Sequence, residues 1–219
     1  MNSAQRRVRK VLTAFMTMVV ISPGAAQAVE EAEYAVVLQD DPIEIRDYAA
    51  QIVAETRVEG DMKGAGNTAF GPLFGYIGGD NETQASIAMT APVAQRESES
   101  EKIAMTAPVG QRAEGESWVV SFMMPANYSM ETIPMPTDPR VSLREIPPQR
   151  MAVIRYSGRW TEKNYVKQLE ALREWMSSNG LEAVGDPLWA RYNAPFSLPF
   201  MRRNEILLPL AEDALPTDQ

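Results

Sequence analysis

The seven-residue phrase Ile87-Ala-Met-Thr-Ala-Pro-Val93 returns letter for letter as Ile103-Ala-Met-Thr-Ala-Pro-Val109, with a charged spacer, Arg96–Lys102, between the copies. A strand constrains the class of residue at each position and does not demand identity. Two identical copies this close imply two adjacent extended segments doing the same job, most simply the arms of one hairpin. Pro92 and Pro108 fall inside the copies, where proline marks an edge or a bulge. The repeat is therefore read as structural, shaping the mouth of a sheet or barrel.

The first 28 of the 219 residues read as a targeting peptide. Arg6, Arg7, Arg9 and Lys10 form a basic start, Val11–Ile21 is apolar, Ser22-Pro-Gly24 breaks the run, and Ala26-Gln-Ala28 has the small-x-small form of a cleavage site. Cleavage after Ala28 and a periplasmic or secreted location are expected. The apolar run is too short for a comfortable membrane span, and no later segment is long and apolar enough, so no stable insertion is expected after cleavage.

Without the four leader cations, 17 basic residues face 29 acidic ones, a net charge of −12 over residues 29–219. That balance argues for solubility and against nucleic acid or anionic lipid as a partner. The sequence holds no cysteine, so an exported fold must stand on its core without disulfides. It also holds no histidine. This removes the commonest general base and the usual haem ligand, and with them any Ser-His-Asp site. Zinc sites built on His or Cys are excluded as well.

Strands are expected at Tyr34–Gln39, Ile43–Tyr48, Gln51–Val58 and Trp118–Met124 in the first half. Val141–Ile146, Met151–Tyr156, Trp189–Tyr192 and Glu205–Leu210 follow in the second. Gly60-Asp61 opens a helix that runs to Ile77 and stops at Gly78-Gly79; Thr161 caps a second one that runs to Ser178 and ends at Asn179-Gly180. The acidic tail from about residue 211 reads as frayed. Both halves run strand, corner, strand, helix, strands, which points to a duplicated β-α-β-β unit and an α+β fold.

The helices differ in a useful way. In the second, Tyr165, Leu169, Leu172 and Met176 make one narrow apolar stripe. In the first, Met62, Ala65, Ala69, Phe70, Leu73, Phe74, Tyr76 and Ile77 spread over about half the circumference at 100° per residue. Gly71-Pro72 interrupts it, so a kink is expected. A stripe wider than the core requires leaves Phe70 and Phe74 free to line a cavity.

Taken together, Phe70-Gly-Pro-Leu-Phe-Gly-Tyr-Ile-Gly-Gly79, both Met-Thr-Ala-Pro-Val copies, Ser121-Phe-Met-Met-Pro125, Arg155-Tyr-Ser-Gly-Arg-Trp160, Ala190-Arg-Tyr-Asn193 and Arg202-Arg-Asn-Glu205 resemble the SOUL / haem-binding protein family from about Tyr34 to Leu210. The resemblance implies a distorted antiparallel β-barrel of two β-α-β-β repeats with two flanking helices. It also implies binding of haem or another tetrapyrrole in a shallow apolar site beside the first helix and the loop before the last strand. By position that site comprises Asn67, Phe70 and Phe74, then Phe200. Some relatives carry an arginine where Asn67 stands. Members without a ligating histidine hold the macrocycle by apolar and ionic contacts, and this sequence fits only that kind.

Such a ligand needs flat apolar walls, which Phe70, Phe74 and Phe200 offer, and rim cations for its carboxylates, which Arg202 and Arg203 offer. Met89 and Met105, at equivalent places in the repeat, are read as core fillers before iron ligands. Glu44 and Glu145 occupy similar places in the two halves and read as strand-edge charges. The expectation is a non-enzymatic haem or porphyrin binder acting as carrier, scavenger or buffer. The alternatives are a module for other amphipathic or cationic molecules and, on fold analogy alone, a small-molecule-modifying enzyme.

Overall fold

The computed structural model describes residues 29–84 and 99–216. The targeting segment 1–28 and the first copy of the repeat, 87–93, lie outside the described residues. In chain order the first half contains β1 (Glu30–Glu31), β2 (Tyr34–Asp40), β3 (Ile43–Tyr48), β4 (Gln51–Glu59), α1 (Met62–Gly78), β5 (Asn81–Glu82), β6 (Thr106–Ala107), β7 (Val109–Glu114) and β8 (Ser117–Met123). The second contains β9 (Met135–Pro136), β10 (Val141–Ile146), β11 (Gln149–Tyr156), α2 (Glu162–Ser178), β12 (Leu188–Arg191), a 3-10 turn (Pro199–Met201) and β13 (Asn204–Pro209).

Nine strands form one curled antiparallel half-barrel in the order β10-β4-β8-β7-β12-β13-β11-β3-β2. The order is a palindrome of the two halves. In the first, β4 is followed by α1 and returns through β7 and β8; in the second, β11 is followed by α2 and returns through β12 and β13. The two meet where β7 pairs with β12, Gln111 opposite Trp189. The strands ahead of each unit are exchanged: β3 pairs with β11 of the second half, and β10 pairs with β4 of the first. The corners at Ala49-Ala50 and Pro147-Pro148 therefore carry the chain from one half to the other and are not hairpin turns.

The second copy of the repeat does not run as one strand. Pro108, which lacks a backbone donor, separates β6 from β7. β6 pairs in parallel with β1, and Val109 at the start of β7 lies opposite both Phe122 and Arg191. Both edges of β7 are thus filled by β8 and β12, while any pairing with the first copy of the repeat lies outside the described residues.

Both helices begin as their sequences require. The Asp61 side chain accepts from the Gly64 N–H, and the Thr161 hydroxyl accepts from the Asn164 N–H. Past the end of α1, Gly79 takes φ 125°, a region glycine enters without steric cost. α1 is continuous across Pro72. The two helices cover the same outer face of the sheet. α2 buries Tyr165, Leu169, Leu172 and Met176 against Ile45, Ile154, Trp189, Ile206 and Leu208. α1 buries Ala69, Leu73, Tyr76 and Ile77 against Ala54, Val120, Phe122 and Ile133. Leu73 and Leu172 are fully buried, and truncating either to Ala would cost about 2–5 kcal/mol. The inner, concave face carries a smaller cluster, Tyr48, Met151, Val153, Ala190 and Leu207.

Candidate functional site

α1 turns one face inward and shows the other to solvent. Asn67, Phe70 and Phe74 stand in line on the outer face at helical spacing, and all three are exposed. Phe70 is 41% exposed and Phe74 49%. Their rings stack, with centroids 5.5 Å apart and planes 17° apart. Phe70 also sets its edge against Phe122 of β8 at 5.6 Å. The surplus width of the apolar stripe is thus a ready-made aromatic surface rooted on the core.

The loop between β12 and β13 supplies a second apolar surface. Phe196 is 91% exposed and Phe200 73%, with Leu198 and Met201 also exposed. Arg202 holds this loop in shape. Its Nε donates to the Ser197 carbonyl at 2.9 Å and its Nη2 to the Pro195 carbonyl at 2.7 Å, while the guanidinium lies 4.3 Å above the Trp160 ring. Arg203 is bound more tightly still. Its Nε donates to Glu205 at 3.0 Å, its Nη1 to Glu31 at 2.7 Å, and it stacks on Tyr192 at 3.8 Å. The two arginines expected at the rim are thus first of all the braces of the loop.

Glu205 sits at the centre of a buried network. Its carboxylate accepts from Arg46 at 2.9 and 3.2 Å, from the Tyr192 hydroxyl at 2.8 Å, and from Arg203. Burial pushes this carboxyl up, but the hydrogen bonds and charges of Arg46 and Arg203 outweigh it and hold the group below its usual range. Arg46 also lies 4.2 Å above the Tyr34 ring and is paired with Glu44 at 2.6 Å. Glu44 is therefore an ion-pair partner, and Glu145 lies on β10, at the opposite end of the sheet order from β3.

The concave face of the sheet encloses a trough of about 600 Å³, with Val53, Val119, Met123 and Leu207 among its apolar lining residues. Its charges are Asp186 and the group Glu55, Arg57, Arg112, Glu114 and Arg144, which pair among themselves, Arg144 with Glu55 at 2.9 Å and Arg57 with Glu114 at 2.7 Å. Alternation along β4 and β8 could have revealed this second concavity, because Glu55, Arg57 and Ser121, three of their inner residues, are polar where a closed core would be apolar. Met105, from the repeat, is exposed and lies just ahead of β6.

A family model described as SOUL heme-binding protein matches residues 29–209. The chain belongs to that family. Membership supports binding of haem or a related tetrapyrrole, a small-molecule function. Comparison with curated proteins gives no match. Among solved structures, the C-terminal domain of EcmrR is similar at 13% identity and a TM-score of 0.54, covering 82% of this chain and 98% of that one. A hydrolase from Listeria innocua is similar at 14% identity and a TM-score of 0.53, covering 77% of this chain and 91% of that one. At such identities these likenesses establish the shared half-barrel fold alone.

Proposed function

We propose that this SOUL-family chain is an exported binding protein for haem or a related tetrapyrrole, serving as carrier, scavenger or buffer without a histidine on the iron. The observation that carries the reading is the stacked, exposed Phe70–Phe74 pair on α1, in a chain whose family is described as heme-binding. Exposed aromatics fixed on a rigid helix offer large contact area at low entropic cost. The macrocycle would lie against Phe70 and Phe74, with Asn67 at one edge and Phe200 of the late loop as the facing wall. No hydrogen bond among the described residues uses Arg202 Nη1 or Arg203 Nη2, so each arginine keeps a donor for the rim. The residues fit the organic macrocycle. Iron would take a thioether, a phenolate or an exogenous ligand, because the sequence holds no imidazole. The family match begins at residue 29, directly after the expected cleavage point, which supports the reading of 1–28 as a leader.

Haem titration of residues 29–219, followed at the Soret band with zinc and metal-free porphyrins in parallel, tests the proposal. A sharp one-to-one endpoint is expected. A broad, unsaturable response would mean that the fold serves another ligand.

A second reading, a module for another amphipathic molecule, is favoured by the concave trough. A cationic ligand suits it poorly. Glu205 with Tyr34, Tyr48 and Tyr192 forms the acid and aromatic cage that a cation would seek, and Arg46 already fills it. Binding, and not turnover, remains the proposed activity. The likeness to a hydrolase is one of fold, and fold does not carry chemistry.

A further inference from the structure

Resting on the tetrapyrrole reading, we propose that Arg191 is the anchor for the ligand's carboxylate, an anion subsite set beneath α1 and beside the late loop. Arg191 ends β12 on the outer, helix-covered face, two residues after the buried Trp189. A cation there should have a carboxylate partner. Among the described residues it has none. Its Nε is buried without a hydrogen-bond partner, and no ion pair engages the guanidinium. Burial pushes it down to about 10, so it remains charged at neutral pH. The side chain is nevertheless partly open to solvent.

Its surroundings are those of a built subsite. The guanidinium is 5.3 Å from the Trp160 ring centre and 5.1 Å from that of Trp189. Trp160 is in turn covered by Arg202, so one indole links Arg191 to the late loop. On its other side the guanidinium lies against Gly66 of α1, the residue before Asn67: a Cβ placed on Gly66 would be 3.0 Å from Nη2 and 3.1 Å from Nη1. Arg191 thus sits between the two surfaces that would hold the macrocycle.

Gln111 Oε1 and Thr56 Oγ1 are also buried without a hydrogen-bond partner among the described residues, while the Tyr156 hydroxyl and the Trp189 indole N–H face each other. Gln111 Oε1 would be 3.3 Å from the same Gly66 Cβ, and Tyr156 lies within electrostatic reach of Arg191. Buried groups are normally satisfied, so the unpaired Arg191 Nε marks a donor set that awaits an acceptor. Arg202 and Arg203 have each spent donors on the protein; Arg191 has spent none. A guanidinium with its donors intact suits a carboxylate, which it can hold bidentately.

The test compares protoporphyrin IX with its dimethyl ester, which keeps the macrocycle and removes both carboxylates. The wild-type chain should bind the free acid about tenfold or more tightly than the ester, the scale of a charge-assisted hydrogen bond. Arg191→Met should reduce acid binding to the level of the ester and leave ester binding unchanged. Arg191→Lys should restore part of the difference, and Arg140→Met, which removes an exposed charge paired with Asp138, should leave it in place. The melting midpoint of Arg191→Met should equal or exceed that of wild type, because an uncompensated buried charge has been removed. Equal binding of acid and ester by wild type would overturn the anchor while the tetrapyrrole reading stands. So would discrimination that survives in Arg191→Met, with or without a lowered midpoint. Binding of neither macrocycle would overturn both.

Discussion

Arg46 Nη1 lies 2.9 Å from Glu205 Oε2, with both side chains buried, so that β3 and β13, which flank β11, are tied by an ion pair on the inner face of the sheet. Removing one partner leaves the other buried with fewer partners, Glu205 with Arg203 and Tyr192, or Arg46 with Glu44 and Tyr48. Glu205→Ala or Arg46→Ala should therefore cost up to about 3–5 kcal/mol, whereas Arg46→Met combined with Glu205→Leu should cost less than the sum of the two. Urea unfolding of the two single variants and the double variant reads these differences directly. A double variant as weak as the singles would show that the pair contributes net stability.

The same carboxylate predicts acid sensitivity. Its folded-state affinity for protons is depressed below the ordinary value of 4.5, despite the opposing effect of burial. A depressed carboxyl contributes stability that is fully present above the unfolded value and is lost as pH falls through the folded one. Stability should hold from neutral pH to about 4.5 and decline below it, with a slope reduced in Glu205→Gln. Thermal melts between pH 3 and 7, with both chains in the same buffers, provide the check.

Phe70 and Phe74 should separate binding from folding. Both are exposed, and Phe70 sets its edge against the core at Phe122. Replacing both with Asp should cost stability only about 1 kcal/mol, the scale of one aromatic contact. Haem affinity should fall about tenfold or more, since charge replaces the apolar wall. A haem titration paired with a thermal melt resolves the two effects. Unchanged binding would remove α1 from the site.

Much of this was legible in the sequence, for reasons that particular residues show. Ile43–Tyr48 and Val141–Ile146 were found residue for residue because alternation and turn residues define them locally. Asp61, Thr161 and Gly79 fixed the helix ends for the same reason. The exposed Phe70–Phe74 pair was legible because helical spacing sets both rings on one side of α1, whereas Asn67 came from the family resemblance alone. Strand exchange was not legible: a corner such as Pro147-Pro148 reads the same whether the next strand folds back or crosses to the other half. Arg191 was missed although it stood inside a recognised motif. Its distinction is the lack of a partner, which only three dimensions disclose. The one available signal was a cation two residues from Trp189 on the face that a helix covers.

Asn81 closes the segment that carries the repeat. Its Nδ2 donates to the carbonyls of Tyr76 and Glu101, both at 2.8 Å, and its Oδ1 accepts from the Glu101 N–H at 2.9 Å. The side chain is buried, so Asn81→Ala would leave backbone groups without partners. A loss of about 2–4 kcal/mol is expected, since each orphaned group costs about 1–3 kcal/mol and some will find water. Hydrogen exchange at Glu101 and Ile103 should accelerate together with the drop in denaturant midpoint; protected amides in the variant would show that β5 is held by other contacts.

Gly66 separates helix stability from the anion subsite. Alanine is the better helix former by about 0.5–1 kcal/mol, so on α1 alone Gly66→Ala should stabilise. The new methyl, however, would meet Arg191 Nη2 at 3.0 Å and Gln111 Oε1 at 3.3 Å, closer than side chains normally approach. Both are ends of flexible side chains, so the guanidinium should move and the fold should survive. The expected outcome is a melting midpoint close to that of wild type, together with a clear loss of the preference for free-acid porphyrin over its ester. Retention of that preference would place the carboxylate away from the Gly66 face of Arg191, and the anchor would then have to be sought among the remaining donors of Arg202 and Arg203.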